Sequence, residues 1–344
     1  MKKKVLIIGY FGYSDNQLDG QTMRTRSIYS LLNEESNFDV NYFDTQSFRQ
    51  TKLNLVTLIK MLIKTDVVFC ICAHRSLKYL FPLVFLLAKV ARTKINYVSV
   101  GGWLYGFIKD KPIHKFMLRR VSGIYVQTTN LVSTLKNDNF NNVYLLNNFR
   151  NTEFSELSLN FNISKPLSLI FLARVHPTKG VDLLFELEKK IKSENIKNIN
   201  IDIYGPIFSD YKDEFTSKIL KSSISYCGVV EPDNIHKTMR NYDLLLFPTK
   251  YYTEGFPGTI LDAYISGVPI VASNWLNAEE FIEHEKTGFI VPFNDDIQFI
   301  KVVLELIKNP QRLFNLRESI SVKRHEYSAE KALEILSDAI RVSR

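Results

Sequence analysis

Two acidic residues lie on either side of a predicted helix start in the second half of the sequence. Glu254 belongs to a loop, and Asp262 follows with seven residues between them, inside a helix predicted from Pro257 to Ser266. Proline fits the first turn of a helix, where its missing N–H costs nothing, and Gly267 fits the residue just past the helix end. Two carboxylates so placed could accept hydrogen bonds from sugar hydroxyls. They could equally be a solvated loop acid and an ordinary residue at a helix start.

The start of this predicted helix also suits an anion. Its free backbone N–H groups and the positive end of its dipole favour a group such as a diphosphate. Gly255 and Gly258, which lack side chains, would let a ligand approach the backbone closely. The strands predicted on either side run from Tyr242 to Pro248 and from Val268 to Ala272, which gives a strand–loop–helix–strand unit.

Two basic residues form a second group, in the segment Ala173-Arg174-Val-His-Pro-Thr-Lys179-Gly180-Val-Asp182. Arg174 follows a strand predicted from Leu167 to Leu172, and Lys179 opens the next helix. A planar guanidinium fork and a compact ammonium charge can together clamp a diphosphate. On its own this spacing is a weak signal.

Both segments resemble the signatures of retaining GT-B glycosyltransferases of the group 1, GT4-like family. Glu254-Gly-Phe-Pro257 and Gly267-Val-Pro-Ile-Val-Ala272 are similar to the E-x7-E loop and the G-x-P-V-V-A run that follows it. Asp262 stands in place of the usual second Glu, which shortens the side chain by one methylene. The basic segment is similar to G-R-x-x-x-x-K-G-x-D, with Ala173 in place of the first Gly, and it precedes the acidic loop in the expected order.

The resemblance implies a role for each of these residues. Arg174 and Lys179 would stabilise the departing diphosphate. Glu254 would hold hydroxyls of the donor sugar, and Asp262 would hold the ribose. The other nucleotide-binding candidates are Gly205, Gly228, Gly255, Phe256, Pro257, Gly258 and Thr259. No divalent metal and no other cofactor is expected, since this arrangement requires none and no Asp-x-Asp motif stands in the right setting.

The first half of the chain opens with a buried strand, Lys4 to Gly9, a polar loop and a helix predicted from Thr22 to Leu32. The resemblance implies that this loop lies near the diphosphate and the acceptor, which makes Gly20, Gln21 and Thr22 candidates. Arg24 and Arg26, in the first turns of the helix, either meet an anionic ligand or are solvated.

Another strand end in this half departs from the family pattern. Gly101-Gly102 stands where many members have a His-Gly pair whose His lies near the transferred sugar. Two glycines there would let a donor sugar lie against backbone amides. His74, at the end of the preceding predicted strand, is a substitute for the missing His, or simply a polar residue at a strand end.

Strands and helices alternate along the whole chain, which indicates an α/β protein with parallel sheets. We predict the GT-B fold, two Rossmann-like doubly wound domains facing a central cleft. Residues 1–150 form the acceptor-side domain, residues 151–325 bind the nucleotide-sugar, and residues 326–344 form a helix that packs back on the first domain. Asn147 to Pro166 is the predicted linker. The absence of G-x-G-x-x-G disfavours a nicotinamide dehydrogenase.

Charge is unevenly distributed between the halves. Residues 1–150 hold 21 Lys and Arg against 9 Asp and Glu, a net charge of +12, whereas residues 151–344 hold 23 and 27, a net charge of −4. No nucleic-acid-binding signature accompanies the basic half, so an anionic membrane face is the preferred partner. Two segments would dock there: the basic and apolar segment Lys109 to Arg120, and the apolar helix Leu77 to Val90. Alternatively, Lys109 to Arg120 is a surface helix whose apolar side faces the core.

The sequence predicts a cytoplasmic protein, peripheral at most at the inner membrane face. Its three cysteines give no disulfide framework, and the sequence shows neither a signal peptide nor an apolar run long enough to span a bilayer. We predict an enzyme, a retaining glycosyltransferase that moves a sugar from a UDP- or GDP-sugar to a glycan or lipid-linked hydroxyl acceptor in cell-surface polysaccharide or glycolipid assembly. A GT-B nucleotide-sugar epimerase or hydrolase, and a non-catalytic partner subunit, are the alternatives.

Overall fold

A computed structural model describes residues 2–15, 17, 19–49, 51, 54–157 and 166–341. The chain divides into two compact units, which we call the first unit (Met1–Thr152 with Tyr327–Arg344) and the second unit (Glu153–Glu326). Part of the predicted linker, residues 158–165, lies outside the described residues. The sequence also predicts a helix from Thr51 to Ile63, of which residues 52 and 53 lie outside them.

The first unit is built on a parallel sheet. Its elements up to residue 152 are β1 (Lys3–Gly9), α1 (Gly20–Asn33), β2 (Phe38–Asp44), α2 (Asn54–Ile63), β3 (Val67–Cys72), α3 (His74–Val90), β4 (Lys94–Ser99), α4 (Leu104–Ile108), α5 (Pro112–Leu118), β5 (Gly123–Val126), α6 (Thr129–Asn137) and β6 (Val143–Leu145). The strand order is β2-β1-β3-β4-β5-β6 within the described residues. The central strands are apolar on both faces, as expected for a sheet covered by helices on both sides.

The second unit repeats this plan. Its elements are β7 (Leu167–Leu172), α7 (Asp182–Ser193), β8 (Ile199–Tyr204), α8 (Lys212–Ile219), β9 (Ser225–Tyr226), α9 (Ile235–Met239), β10 (Leu244–Phe247), α10 (Gly258–Ser266), β11 (Ile270–Ser273), α11 (Ala278–Phe281), β12 (Gly288–Val291), α12 (Asp296–Lys308) and α13 (Gln311–Lys323). The strand order over the described residues is β12-β11-β10-β7-β8-β9, all parallel.

The last helix, α14 (Ala329–Arg341), belongs to the first unit. Its apolar side, with Ala332, Leu336 and Ile340, shares a core with α1 and with one face of the first sheet. Helices α2 to α6 cover the opposite face. The two parallel sheets with flanking helices confirm the predicted α/β class and its two Rossmann-like domains.

Several predicted boundaries were wrong. The run Ile224 to Val229 predicts a strand, but β9 is shorter, because just Ser225 and Tyr226 pair with β8. His74 does not end a strand. It is the first residue of α3, since the chain leaves β3 at Cys72 and Ala73 already takes the N-cap position.

Candidate active site

Three loops meet at the carboxyl edge of the second sheet. Arg174 lies two residues beyond β7, Gly205 directly follows β8, and the loop that carries Glu254 follows β10. Because β7 lies between β8 and β10 and the strands are parallel, their carboxyl ends adjoin. In open α/β sheets this edge is where ligands bind.

Two glycines let these loops approach closely. A Cβ on Gly205, whose φ is +133°, would lie 1.8 Å from the carbonyl oxygen of Ala173. The amide of Gly205 donates to Gly228 O over 2.8 Å, which joins the ends of β8 and β9. A Cβ on Gly180 would lie equally close to Pro248 O. The turn before Gly180 is therefore pressed against the end of β10.

Lys179 and Glu254 form an ion pair at this edge. The Lys179 ammonium donates to Glu254 Oε1, and the two side chains are only 16% and 13% exposed. The Thr249 hydroxyl lies 3.4 Å from the same carboxylate oxygen. The sequence predicts both residues for the donor site, and the structure brings them into direct contact. Arg174 is solvent-exposed, with its guanidinium carbon 5.8 Å from the centroid of the Phe208 ring.

Helix α10 starts beside this pair without a side-chain cap. Its N-cap residue, Pro257, makes no side-chain hydrogen bond to the first turn. The Thr259 hydroxyl donates to Leu172 O over 2.8 Å and so ties the helix start to the end of β7. Phe256 is buried and stacks on Phe281 at 4.0 Å between ring centroids. Two of the predicted nucleotide-binding residues therefore hold the helix in place through their side chains.

Asp262 lies on α10 but its carboxylate is buried. The side chain is 4% exposed, and Oδ1 lies 3.1 Å from Nε2 of His236 on α9. The imidazole of His236 is 18% exposed and extends from α9 to the Asp262 carboxylate. Direct contact between Asp262 and a ribose stays a prediction, and His236 is a neighbour that the sequence reasoning missed.

Asn277 is a second residue that the sequence reasoning missed. Its buried amide donates to the Glu254 carbonyl oxygen over 2.9 Å, and the Leu276 amide donates to Tyr252 O over the same distance. In the family that the sequence resembles, a Gly-Gly and a Pro-Glu usually stand in the stretch from Ser273 to Glu280, so the departure from that pattern was the signal. Among the described residues, no three His, Cys, Asp or Glu side chains cluster as metal ligands would.

The candidate loop of the first unit is closed by its own hydrogen bonds. The Asp19 carboxylate accepts from the amides of Gln21 and Thr22, and the Thr22 hydroxyl accepts from the Asp19 amide in a capping box. Gly20, the first residue of α1, is exposed. The amides of Gln21 and Thr22 are therefore already satisfied.

Neither arginine of α1 is simply solvated. Arg24 is 1% exposed, and its guanidinium donates to Leu146 O and Asn147 O over 2.8 and 3.2 Å. Burial lowers its pKa to about 9. Arg26 is partly buried and donates to Phe11 O and Gly12 O. Of the two alternatives for Arg24, the solvated side chain was wrong, because carbonyl groups distant in sequence hold its guanidinium.

The strand ends of the first unit gather aromatic rings. His74 packs edge-on against Phe107 at 4.4 Å, and Trp103 lies 5.5 Å from the imidazole. The Gly101 amide donates to the buried side chain of Gln127 over 3.1 Å. The Gly101 amide is therefore not available to a donor sugar. Contact of a donor sugar with the Gly102 amide stays a prediction.

An exposed surface of the first unit combines basic and apolar side chains on α3 and α5, which pack together. We call it the basic–apolar face. Its apolar members are Tyr79, Leu86, Val90, Ile113 and Phe116, each at least half exposed, and its basic members are Lys78, Lys89, Lys109, Arg119 and Arg120. The Lys89 ammonium donates to Arg120 O over 3.1 Å, which links the two helices. Across the described residues, no helix has the length and apolar character needed to cross a membrane.

Part of the chain matches a known protein family. Residues 156–324 match the family described as glycosyl transferases group 1. The amylovoran biosynthesis glycosyltransferase AmsK of Erwinia amylovora is 24% identical over 155 residues, covering 44% of this chain and 38% of AmsK. The capsular polysaccharide biosynthesis glycosyltransferase CapH of Staphylococcus aureus is 24% identical over 288 residues, 74% of this chain and 78% of CapH. The chain matches less than half the length of the first curated relatives, 36% to 47%.

A solved structure shares the fold over nearly the whole chain. HepE of Anabaena, determined in complex with UDP-glucose, superposes with a TM-score of 0.71 at 14% identity, over 98% of this chain and 99% of HepE. The likeness shows the GT-B fold. The matched family model and the named relatives are those of glycosyltransferases.

Proposed function

We propose that this protein is a retaining glycosyltransferase of the GT4-like type, which moves a sugar from a UDP- or GDP-sugar to a hydroxyl of a glycan or lipid-linked acceptor. The observation that carries the proposal is the Lys179–Glu254 pair beside the uncapped start of α10. A cation, a carboxylate and helix amides so arranged offer contacts to a diphosphate and to sugar hydroxyls within one site.

In the proposed reaction, the bond between the anomeric carbon and the diphosphate oxygen breaks, and the diphosphate leaves with the electron pair. The acceptor oxygen forms the new bond to that carbon, and its proton passes to the departing diphosphate. Charge thus builds on the diphosphate, so Lys179, Arg174 and the first amides of α10 would stabilise the transition state more than the ground state. Glu254 would orient the donor through its hydroxyls.

We expect this reaction to need no divalent metal, because positive side chains and helix amides supply the counter-charge. Activity that persists in excess EDTA would support this, and loss of activity restored by Mg²⁺ would contradict it. The names of AmsK and CapH suggest a place in the assembly of a surface polysaccharide.

The site of action we propose is the cytoplasmic face of a membrane. The basic–apolar face would contact anionic headgroups, since Lys and Arg side chains attract them while Ile113, Phe116 and Val90 enter the headgroup region. The enzyme would then reach a lipid-linked acceptor at the membrane in which its lipid is embedded. The first 150 residues, with a net charge of +12, favour the same partner.

A two-stage assay tests the transfer function. Thermal-shift screening against UDP- and GDP-sugars identifies the donor, because a ligand bound only by the native state raises its apparent stability. The donor that shifts the melting temperature is then incubated with and without glycan and lipid-linked acceptors. Transfer only in the presence of acceptor is expected. Turnover without acceptor would instead indicate an epimerase or hydrolase, and a protein that binds no nucleotide-sugar would be a non-catalytic subunit.

A further inference from the structure

A cavity of about 330 Å³ lies in the first unit, between the sheet and α14. Its polar lining consists of Lys94, Asn96, Ser122, Tyr125, Tyr144 and Asp338. Asn96 is the third residue of β4, and Ser122 directly precedes β5. The cavity is thus on the side of the strand starts, whereas His74 and Gly101 lie beyond the carboxyl ends of β3 and β4. None of the roles proposed above uses it.

Asn96 is the unusual feature of this cavity. The residue is 1% exposed, and within the described residues neither its Nδ2 nor its Oδ1 has a hydrogen-bond partner. Buried amides almost always have partners, because removing them from water without a new hydrogen bond is unfavourable. Since Asn96 lines the cavity, a molecule bound there is the candidate partner for its side-chain amide.

Two aromatic rings form the adjoining wall. Tyr125 and Tyr144 stack with ring centroids 5.4 Å apart, and Tyr144 is 48% exposed. The Tyr125 ring lies over Gly123, where an added Cβ would come within 2.7 Å of it, so this ring position depends on a glycine. Burial, with Tyr144 and Asp338 nearby, raises the pKa of Tyr125 and keeps its phenol neutral.

The charges at the cavity do not favour an ionic ligand. Lys94 and Asp338 have opposite signs, so the lining offers no net charge to a phosphate or a carboxylate. An amide, a carboxylate and a hydroxyl together can donate to and accept from the same ligand, which is what adjacent sugar hydroxyls require. The apolar face of a sugar ring would pack on the tyrosines. A volume near the lower end of roughly 300–1,000 Å³ for ligand sites suits a single ring.

We propose that this cavity is a carbohydrate subsite for a neutral sugar ring, held by Asn96 and Tyr144. The assignment of that ring to the acceptor glycan rests on the proposed transfer function, whereas binding itself does not. The subsite would hold a part of the glycan that does not react, and would favour a growing chain over a free sugar.

Saturation-transfer NMR on the full-length protein tests the subsite, with methyl glycosides of glucose, galactose and N-acetylglucosamine as probes. We expect a signal from at least one probe in the wild type, its loss in Asn96→Leu and a clear reduction in Tyr144→Ala. Tyr79→Ala, which removes an exposed tyrosine on α3, is the matched control and should keep the signal. Lys179→Ala should also keep it, which separates the subsite from the donor site.

Two outcomes would overturn the subsite. One is a signal equal in the wild type and in Asn96→Leu. The other is no signal in the wild type while Asn96→Leu melts at a higher temperature, which would mean that the cavity holds only water. Because the measurement requires no turnover, either result leaves the proposed transfer reaction standing. A protein that binds glycosides here but turns over no nucleotide-sugar would keep the subsite and contradict the proposed transfer reaction.

Discussion

At the scale of single residues, the proposed donor site depends on a cation that already has a partner. Lys179 has three N–H donors, so it can remain close to Glu254 while it also binds a diphosphate. Lys179→Ala removes a charged hydrogen bond worth roughly 1.5–3 kcal/mol, and should weaken nucleotide-sugar binding about 10- to 100-fold by calorimetry.

The matched control for this variant is Lys189→Ala, which removes an exposed lysine paired with Glu186 on α7. Its affinity should equal that of the wild type. If a folded Lys179→Ala protein also binds the donor normally, Lys179 does not belong to the site.

Glu254 should act on the sugar more than on the nucleotide. Glu254→Gln keeps the size of the side chain but removes its charge, and it leaves Lys179 facing a neutral amide. We expect turnover to fall strongly while UDP or GDP alone still binds. Steady-state kinetics and calorimetry separate the two effects. A collapse of free-nucleotide binding would mean that Glu254 lies at the diphosphate end of the donor.

The His236–Asp262 pair makes a prediction about the ribose. Since the Asp262 carboxylate is buried against the imidazole, we expect it to act by holding His236. Asp262→Asn and His236→Ala should then weaken UDP binding by similar factors, and the double variant should be no weaker than either, the non-additive result of a shared interaction. If Asp262 contacts the ribose itself, Asp262→Asn alone would abolish the preference for UDP over 2′-deoxy-UDP.

At the scale of elements, the turn that carries Lys179 depends on Gly180. Its φ of +78° is in the left-handed region, and a Cβ there would overlap Pro248 O. Strain of this kind amounts to about 1–3 kcal/mol. Gly180→Ala should therefore lower the melting temperature, and should weaken donor binding because the turn must move away from β10.

Gly106→Ala is the control for the turn, because an added Cβ in α4 meets no atom within 4 Å. That variant should melt at or above the wild-type temperature and bind the donor normally. Equal melting temperatures for both variants would show that the turn tolerates a side chain, and that Gly180 is not what positions Lys179.

Regular elements could be predicted from the sequence because their signals are local. Apolar runs of strand length alternated with helical patterns, and Gly267 and Pro257 mark the ends of α10. Contacts between distant segments carry no such signal. Lys179 contacts Glu254 because β10 lies beside β7. Arg24 is buried because carbonyl oxygens more than 120 residues away accept hydrogen bonds from its guanidinium. The predicted length of the strand from Ile224 to Val229 was too great, since the length of β9 is set by its pairing with β8 and not by composition.

At the scale of the whole molecule, the uneven charge and the basic–apolar face together predict reversible membrane attachment. Each basic residue near an anionic surface contributes on the order of 1 kcal/mol, and this attraction falls with ionic strength. The exposed side chains Arg75, Tyr79, Leu86 and Val90 recur along one side of α3, so several could reach the headgroups at once. The apolar members add a contribution that salt does not weaken.

Vesicle co-sedimentation at low and high salt tests this attachment, with neutral and anionic lipids. The wild type should bind anionic vesicles at low salt, lose most of that binding at high salt, and bind neutral vesicles poorly. The double variant Ile113→Ser with Phe116→Ser should bind anionic vesicles more weakly because it has lost the apolar contribution of α5. The matched control replaces Ile297 and Val322, two comparably exposed apolar residues of the second unit, with serine and should bind like the wild type. Equal and negligible binding to both lipid types would leave the basic–apolar face as an ordinary solvated surface, and would favour an acceptor free in solution.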